Sequence, residues 1–298
     1  MLGARGYPVP TILWHGVVSD SWHVFVQNQL PGRPMAALDG PMLEATLRLV
    51  ELQADAGTDA GDRGFTGYVS NVLFDDWDEV WAGAPRAGAR AGVVCARLRR
   101  WLQPVWGLRL PPADYTHNDL NLSNILTDGT GITGVVDWDE FGLGSRALDL
   151  VVLALDAERL GNDGAADRLL ARAAQIAGDD GLRCLVSYRA IAGLAHLTQE
   201  RQAYGDSLAD ALCEAILAIL DRLQATDSDS RRQRPTRNAI GATRYSPKHS
   251  LCRQACAQTA VDADGRICAS ARRAGRHSRR PRRQARRCPH RPRPCDTA

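Results

Sequence analysis

Hydrophobic positions follow two different periods along the chain, which divides it into a short β part and a longer helical part. The segments "TILWHGVV" and "WHVFVQN" are rich in β-branched and aromatic residues and are separated by "SDS", so they predict two strands over residues 8–27. Apolar residues recur every three to four positions in residues 40–54 and 88–106, which predicts two helices. Residues 67–82 are ambiguous, with a short helix as one option around "VSNVLF". The same helical period returns in the second half of the chain, in residues 146–159, 163–177, 180–204 and 207–224.

A polar hairpin interrupts the helical part. The stretch "NILTDGTGITGVVD" predicts strands over Asn124–Thr127 and Ile132–Asp137, with "DGTG" as the turn between them. Pairing around this turn is expected to bring Asn124 and Asp137 close to opposite one another. An amide oxygen and a carboxylate are hard oxygen ligands that suit Mg²⁺. Asp119 lies five residues before Asn124, on the loop that enters the first strand, where a carboxylate can accept a proton from an attacking hydroxyl.

The net charge of +3 averages two parts of opposite sign. Residues 228–298 hold 18 Arg and Lys248 against four Asp, whereas residues 1–227 hold 18 Arg against 30 Asp and Glu. We predict disorder for residues 227–298, because runs such as "RRAGRHSRRPRRQARRCPHRPRP" have no apolar periodicity and cannot bury a core. Such a tail would bind nucleic acid only non-specifically, through phosphates. The abrupt change in composition leaves a second hypothesis open, that the tail is read from a shifted frame.

Cysteine usage and the lack of long apolar runs indicate a cytoplasmic protein. Cys95, Cys184 and Cys213 are widely spaced within helical patterns, which predicts buried free thiols in a reducing compartment. We find no segment with the basic start and apolar run of a signal peptide, and no uncharged run approaching the ~20 apolar residues that span a bilayer. The five Cys of the tail form no Cys-x-x-Cys pair, so zinc binding is not favoured there. Nothing in the sequence indicates an oligomeric state.

Three motifs together resemble one enzyme family. They are "HNDLNLSN", "VVDWDEFGLGSRALDL" and "FVQNQLPGRP". The pattern His-x-Asp-x-x-x-x-Asn followed by an Asp at a hairpin's end is similar to the protein-kinase catalytic loop and its metal-binding Asp. The closer resemblance is to the aminoglycoside phosphotransferase-like family, in which Trp follows the metal Asp and a Gly-rich turn leads to an Asp-Leu helix start. This resemblance spans residues 8–224 and departs from the usual loop at Asn118, where Gly is common.

The resemblance implies an α+β, protein-kinase-like fold with a mainly helical C-terminal lobe and a reduced β N-lobe. Residues 1–27 would be the remnant of the N-terminal lobe, and residues 28–226 the C-terminal lobe with the catalytic loop and metal site. The implied reaction transfers the γ-phosphate of ATP, with Mg²⁺, to a hydroxyl of a small molecule such as an aminoglycoside or another alcohol.

Site residues carry over from the resemblance position by position. Asp119 would be the catalytic base, and Asn124 and Asp137 would bind Mg²⁺. His117 and Asp149 would support the catalytic loop. The hinge whose backbone holds the adenine of ATP would be Gln27, Asn28 and Gln29.

Two questions stay open from the sequence. Asp139 and Glu140 either contact a substrate amine or cap the following turn, and the acidic run "DDWDE" over residues 75–79 either faces a cationic substrate or is solvated surface. The interval before the hinge is too short for the family's phosphate-covering loop and strand Lys, and residues 1–227 contain no Lys. The chain is therefore either a phosphotransferase or, alternatively, an inactive remnant or small-molecule-binding module.

Overall fold

The structure is a computed structural model that describes most of the first 233 residues and two short segments beyond them. The described residues are 2–19, 22–55, 65–74, 78–110, 114–199, 201–233, 256–261 and 267–271. Three residues of the acidic run "DDWDE", numbers 75–77, lie outside the described residues.

Seven helices are present in the described part of the chain. They are α1 (Gly40–Glu51), α2 (Phe65–Phe74), α3 (Asp78–Gly83), α4 (Ala91–Leu102), α5 (Ala147–Arg159), α6 (Asp163–Gln199) and α7 (Arg201–Gln233). The predictions for α1, α4 and α5 are confirmed to within a few residues at each end. The ambiguous region around "VSNVLF" forms α2. Among the described residues, no helix is long and apolar enough to cross a membrane.

The core is built around α5, whose sequence "ALDLVVLALDAER" is apolar on nearly every face. A helix of this kind has to be covered on all sides. It packs most extensively against α6 and also contacts α7 and α1. Leu150, Leu153 and Ala154 are completely buried between these helices. Burial of each such Leu side chain contributes about 1.5–3 kcal/mol relative to exposure. The helical lobe therefore forms a rigid base for the loops that precede α5.

The strands form three small sheets. The strands are β1 (Ile12–Ser19), β2 (Trp22–Asn28), β3 (Arg33–Pro34), β4 (Asp114–Thr116), β5 (Ile125–Thr127), β6 (Ile132–Val135), β7 (Gly142–Gly144), β8 (Cys256–Val261) and β9 (Ile267–Ala271). The sheet orders are β1-β2-β8-β9, β3-β5-β6 and β4-β7. The antiparallel pair of β1 and β2 confirms the two strands predicted over residues 8–27.

The predicted hairpin is present, but its strands are shorter than predicted. Ile125 pairs with Val135, which places Val136 opposite Asn124 and puts Asp137 one residue further along. Asn124 is the last residue of a 3-10 turn, and Asp137 precedes another, so neither belongs to a strand. Asn124 and Asp137 are therefore close to opposite one another, as predicted, with an offset of one residue. The predicted strand ends at these residues are corrected to Ile125 and Val135. The strands are shorter because the 3-10 turns Leu122–Asn124 and Trp138–Glu140 hold the backbone at the mouth of the hairpin in a non-extended conformation.

The boundaries of the last two helices also differ from the sequence-based expectation. The predicted break between residues 177 and 180 is confirmed, because Gly178 has non-helical backbone angles (φ 72°, ψ 166°) within α6. Helix α6 is described to Gln199 and α7 from Arg201, and residue 200 lies outside the described residues. The break predicted between residues 204 and 207 is wrong, because α7 is continuous there. Helix α7 then runs to Gln233, beyond the predicted end at residue 224.

The segment before β1 contacts the hairpin and the residues that follow α1. Val135 donates its backbone N–H to Pro8 O at 2.8 Å. The Tyr7 ring is buried and packs edge-on against Trp138, with centroids 5.5 Å apart. Residues 2–9 thus touch the part of the chain that carries the candidate site.

Residues 227–298 are described only in part. Within the segment for which we predicted disorder, α7 extends to Gln233, and two strands are present, with β8 pairing in parallel with β2. Both strands, "CAQTAV" and "ICASA", lack Arg, which distinguishes them from the Arg-rich runs. The rest of this segment lies outside the described residues, and its disorder stays a prediction.

Candidate active site

A buried carboxylate at the start of α5 holds the loop that precedes the hairpin. Asp149 Oδ2 accepts the backbone N–H of His117 at 2.8 Å, and Oδ1 accepts that of Asn118 at 2.8 Å. Gln53, just beyond α1, donates its side-chain amide to Asp149 Oδ2 at 2.8 Å. Burial raises the pKa of Asp149, while the nearby His117 and these donors oppose that shift. Three donors on one carboxylate fix the backbone at His117 and Asn118.

The side chain of His117 connects this loop to the end of the hairpin. Its Nε2 bonds to Val136 O at 2.9 Å, so this nitrogen carries the proton. The ring packs against Trp138 with centroids 4.6 Å apart. The other nitrogen, Nδ1, has no hydrogen-bond partner among the described residues. His117 thereby sets the distance between the loop and the residue that precedes Asp137.

Asn118 occupies a backbone conformation that few residues adopt. Its φ of 69° lies in the left-handed region, where Asn is several-fold enriched among non-glycine residues. Its side chain adds contacts that Gly could not make. The amide nitrogen donates to Glu140 O, and the oxygen accepts the Thr116 hydroxyl. Asn at this position therefore keeps the turn and adds a tie to the segment after Asp137.

Asp119 lies at the tip of the braced loop and is partly exposed. Its Oδ1 accepts Nη2 of Arg189 at 2.7 Å, and its Oδ2 accepts the side-chain amide of Asn121 at 3.1 Å. Its backbone oxygen accepts the side-chain amide of Asn124 at 2.9 Å. Because that bond commits the nitrogen of the Asn124 side chain, Oδ1 of Asn124 is the atom available to ligate a cation.

Asp137 stands beside Asn124 at the mouth of the hairpin. The backbone N–H of Val136 donates to Asn124 O at 3.0 Å, and Asp137 follows directly with a left-handed φ of 65°. The structure thus brings together the three residues predicted to act on phosphate and metal: Asp119, Asn124 and Asp137. An amide and a carboxylate oxygen fit Mg²⁺, which leaves its other positions to water and phosphates. The described residues contain no group of three or more His, Cys, Asp or Glu that could hold a metal.

Comparison with known proteins identifies the family. The model of the phosphotransferase enzyme family, APH, matches residues 1–185. This chain belongs to the phosphotransferase enzyme family. The match covers the catalytic loop, the hairpin and the first part of α6.

Solved structures show the fold that the family adopts. A thermostable mutant of aminoglycoside phosphotransferase APH(4)-Ia in its apo form matches with a TM-score of 0.50 and 16% identity, over 71% of this chain and 77% of that chain. A variant of the same enzyme in ternary complex with AMP-PNP and hygromycin B gives the same four values. At this level of identity the likeness concerns the fold alone, and it confirms the predicted protein-kinase-like architecture.

The predicted hinge lies at the end of β2. Asn28 donates its backbone N–H to Thr11 O at 3.1 Å, and its side-chain oxygen accepts the N–H of Thr11. Gln27 pairs with Ile12 on one side and Ala260 on the other. Gln29 lies just beyond the strand. Of the three predicted hinge residues, Gln29 is thus the one outside the strand pairing.

Asp139 and Glu140 lie on the 3-10 turn Trp138–Glu140, and both are exposed. The turn follows Asp137 directly in the chain. Glu140 is fixed through its backbone oxygen, which accepts the Asn118 side chain. Their side chains are accessible to a ligand.

Sequence reasoning missed three residues that support the catalytic loop, either directly or through Asp149. They are Gln53, which bonds to Asp149; Asp156, whose Oδ2 accepts the N–H of Leu122 at 3.0 Å; and Arg189, which bonds to Asp119. Only Arg189 carried a signal, as a charged residue inside the apolar helical run "CLVSYRAIAGLAHL". The contacts of Gln53 and Arg189 join residues 96 and 70 positions apart, beyond the range of any local pattern.

Proposed function

We propose that this chain transfers the γ-phosphate of ATP to a hydroxyl group of a small molecule, with Asp119 as the catalytic base. The observation that carries the proposal is the bond from the Asn124 side chain to the backbone of Asp119. It joins the candidate base to the candidate metal pair in one braced unit. Membership of the phosphotransferase enzyme family supports the reaction class.

Asp119 would orient the acceptor hydroxyl and take its proton. Its carboxylate accepts one bond on each oxygen, from Arg189 and Asn121. A carboxylate has about four lone-pair positions, so it can accept a further bond from a hydroxyl. General-base action of this kind accelerates a reaction by about 10²–10⁴-fold.

Asn124 and Asp137 would hold Mg²⁺ through their side-chain oxygens. When bound, Mg²⁺ neutralises charge on the phosphates and aligns them for in-line transfer. His117 and Asp149 would keep these ligands at a fixed distance from the base, because they tie the catalytic loop to α5 and to Val136.

For the nucleotide, we propose that the backbone at Gln27, Asn28 and Gln29 receives the adenine, with Gln29 best placed because it lies beyond the paired strand. Asp139 and Glu140 are exposed beside the site and are candidates for contact with an acceptor amine. The buried free thiols Cys95, Cys184 and Cys213 favour a reducing compartment, and we propose that the protein acts in the cytoplasm.

A second function is favoured by one observation. Lys248 is the only Lys in the chain, and it lies outside the described residues, so no Lys of the described lobe can neutralise charge on the transferring phosphate. Preorganised charge is usually a major part of catalysis. The alternative is therefore an inactive remnant or a small-molecule-binding module that retains the cleft.

Measurement of product formation distinguishes the phosphotransferase from the inactive remnant or binding module. We would incubate the full chain with ATP and Mg²⁺ and a panel of small alcohols, and follow the phosphorylated product by ³¹P NMR. The phosphotransferase proposal predicts product that requires Mg²⁺ and is lost in Asp137→Asn. Asp128→Asn, an exposed carboxylate in the turn of the same hairpin, is the matched control and should retain activity. Binding of AMP-PNP or of an alcohol without product would instead support the binding module.

A further inference from the structure

Arg189 places a positive charge against the proposed base. It lies on α6, and its Nη2 is 2.7 Å from Asp119 Oδ1. The two side chains are 28% and 31% exposed, so the ion pair faces solvent at the mouth of the site and is not sealed in the core. No sequence motif led to this residue.

Counting only partners in the part of the chain that the structure describes, most N–H donors of the Arg189 guanidinium are unused. A guanidinium has five N–H donors in a planar fork. Within the described ranges, the bond to Asp119 is the one hydrogen bond that its side chain makes. A guanidinium with unused donors at a cleft suits a carboxylate or phosphate, which it can bind through two parallel bonds.

The position of the Arg189 guanidinium affects which acceptor molecules can bind. A hydroxyl that gives its proton to Asp119 has to lie about 2.7 Å from the carboxylate, which places it on the order of 5 Å from the guanidinium. A substituent on the Arg189 side of that hydroxyl therefore meets the guanidinium. An anionic group there would gain charge-assisted hydrogen bonds, and an ammonium group would gain none.

We propose that Arg189 determines acceptor specificity, selecting hydroxyl compounds that carry a carboxylate or phosphate beside the reacting hydroxyl over polycationic compounds. This inference rests on the proposed role of Asp119. The exposed carboxylates of Asp139 and Glu140 lie on the turn after Asp137, whereas Arg189 contacts the base itself.

The test compares three-carbon alcohols that carry an anionic, a neutral or a cationic group beside the hydroxyl: glycerate, glycerol and 3-amino-1,2-propanediol. Their dissociation constants are measured by NMR titration of the full chain with Mg²⁺ and AMP-PNP, so the readout does not require turnover. We expect glycerate to bind about tenfold more tightly than the amine, because the pair is charge-assisted but partly solvated. Arg189→Gln should abolish this preference, and Arg189→Lys should keep part of it.

Controls separate this inference from the proposed function. Arg168→Gln, which removes an exposed Arg of the same helix that pairs with Glu44, should retain the preference. In the wild type, the preference should shrink as NaCl rises, which is a test that needs no variant. If glycerate is preferred but no alcohol is phosphorylated, the specificity stands and the phosphotransfer fails. Equal or tighter binding of the amine by the wild type, or an unchanged preference in Arg189→Gln, would overturn the inference.

Discussion

At the scale of single residues, the site uses Asp in two environments for two purposes. Asp149 is completely buried and fully engaged by three N–H donors, whereas Asp119 is partly exposed and retains acceptor capacity. A carboxylate whose acceptor positions are occupied can only stabilise the structure. A carboxylate with free lone pairs can also accept a hydrogen bond from a substrate. The difference follows from depth, since Asp149 projects from the central helix and Asp119 from the loop tip.

Replacement of Asp149 should cost stability. In Asp149→Asn one oxygen becomes an NH₂ group that faces N–H donors, which leaves buried donors unpaired. We expect a loss of about 3 kcal/mol in the free energy of unfolding, measured by urea denaturation. Asp221→Asn removes an exposed carboxylate that pairs with Arg97 and should change stability by about 0.5 kcal/mol or less. Equal effects of the two substitutions would show that Asp149 does not brace the loop.

Asn118 offers a test of backbone conformation against side-chain contact. Asn118→Gly keeps the left-handed backbone and loses the bonds to Glu140 and Thr116, about 1 kcal/mol each. Asn118→Ala loses the same bonds and adds about 1 kcal/mol of strain at φ 69°. The urea midpoint should therefore be highest for the wild type, lower for Asn118→Gly and lowest for Asn118→Ala. An Ala variant as stable as the Gly variant would argue against a left-handed residue here.

At the scale of elements, local spacing was sufficient for some features and insufficient for others. The hairpin and the break before residue 180 depend on residues close together in the chain, and the sequence predicted them. The support of the catalytic loop by Asp149 joins residues 32 positions apart, and only the family resemblance implied it. The strand ends at Asn124 and Asp137 were misplaced because the flanking 3-10 turns compete with the ladder for the backbone. The contacts of Gln53 with Asp149 and of Arg189 with Asp119 depend on how α1 and α6 pack, which no periodicity encodes.

The break in α6 depends on a backbone conformation that favours Gly at position 178. Gly178 has φ 72° and ψ 166°, a region that is essentially restricted to Gly. Gly178→Ala should lower the free energy of unfolding by about 1–3 kcal/mol. Gly164→Ala is the matched control in the first turn of the same helix, where an added Cβ meets nothing within 4 Å. That variant should be as stable as the wild type or slightly more stable, because Ala favours helix. The same urea series measures both, and a neutral Gly178→Ala would contradict the break.

At the scale of the whole molecule, the helical lobe is well packed enough to suppress the chemistry of its thiols. Burial raises the pKa of Cys95 to about 11, of Cys184 to about 12 and of Cys213 to about 11. The folded state therefore keeps these protons above pH 9.0, the ordinary value, where the unfolded chain releases them. Stability from thiol burial is accordingly full below pH 9.0 and falls as the pH rises towards 11.

Alkylation measures how well the fold protects these three thiols. With iodoacetamide at pH 8, peptides containing Cys95, Cys184 and Cys213 should stay unlabelled in the native chain and become labelled in urea, as read by mass spectrometry of the digest. Resolution by peptide separates them from the five Cys of the tail. Rapid labelling of all three in the native chain would contradict the packing of α4, α6 and α7.

The organisation of the molecule explains why the sequence predicted the candidate site better than its setting. Asp119, Asn124 and Asp137 fall within one short stretch, so fixed spacing and a hairpin were sufficient to place them together. The positive charge beside Asp119 comes from Arg189 on α6, and the side-chain donor to Asp149 comes from Gln53, just after α1. Both contacts depend on the tertiary packing of the lobe.

The central claim is that the braced loop and hairpin form a phosphotransfer site with Asp119 as its base. The most direct test is the rate of γ-phosphate transfer from Mg²⁺-ATP to an accepted alcohol by the wild type and by Asp119→Asn, alongside the affinity of each for AMP-PNP. We predict that kcat falls by about 10²-fold or more in the variant while the nucleotide affinity is unchanged. Wild-type kcat in Asp119→Asn would contradict the claim.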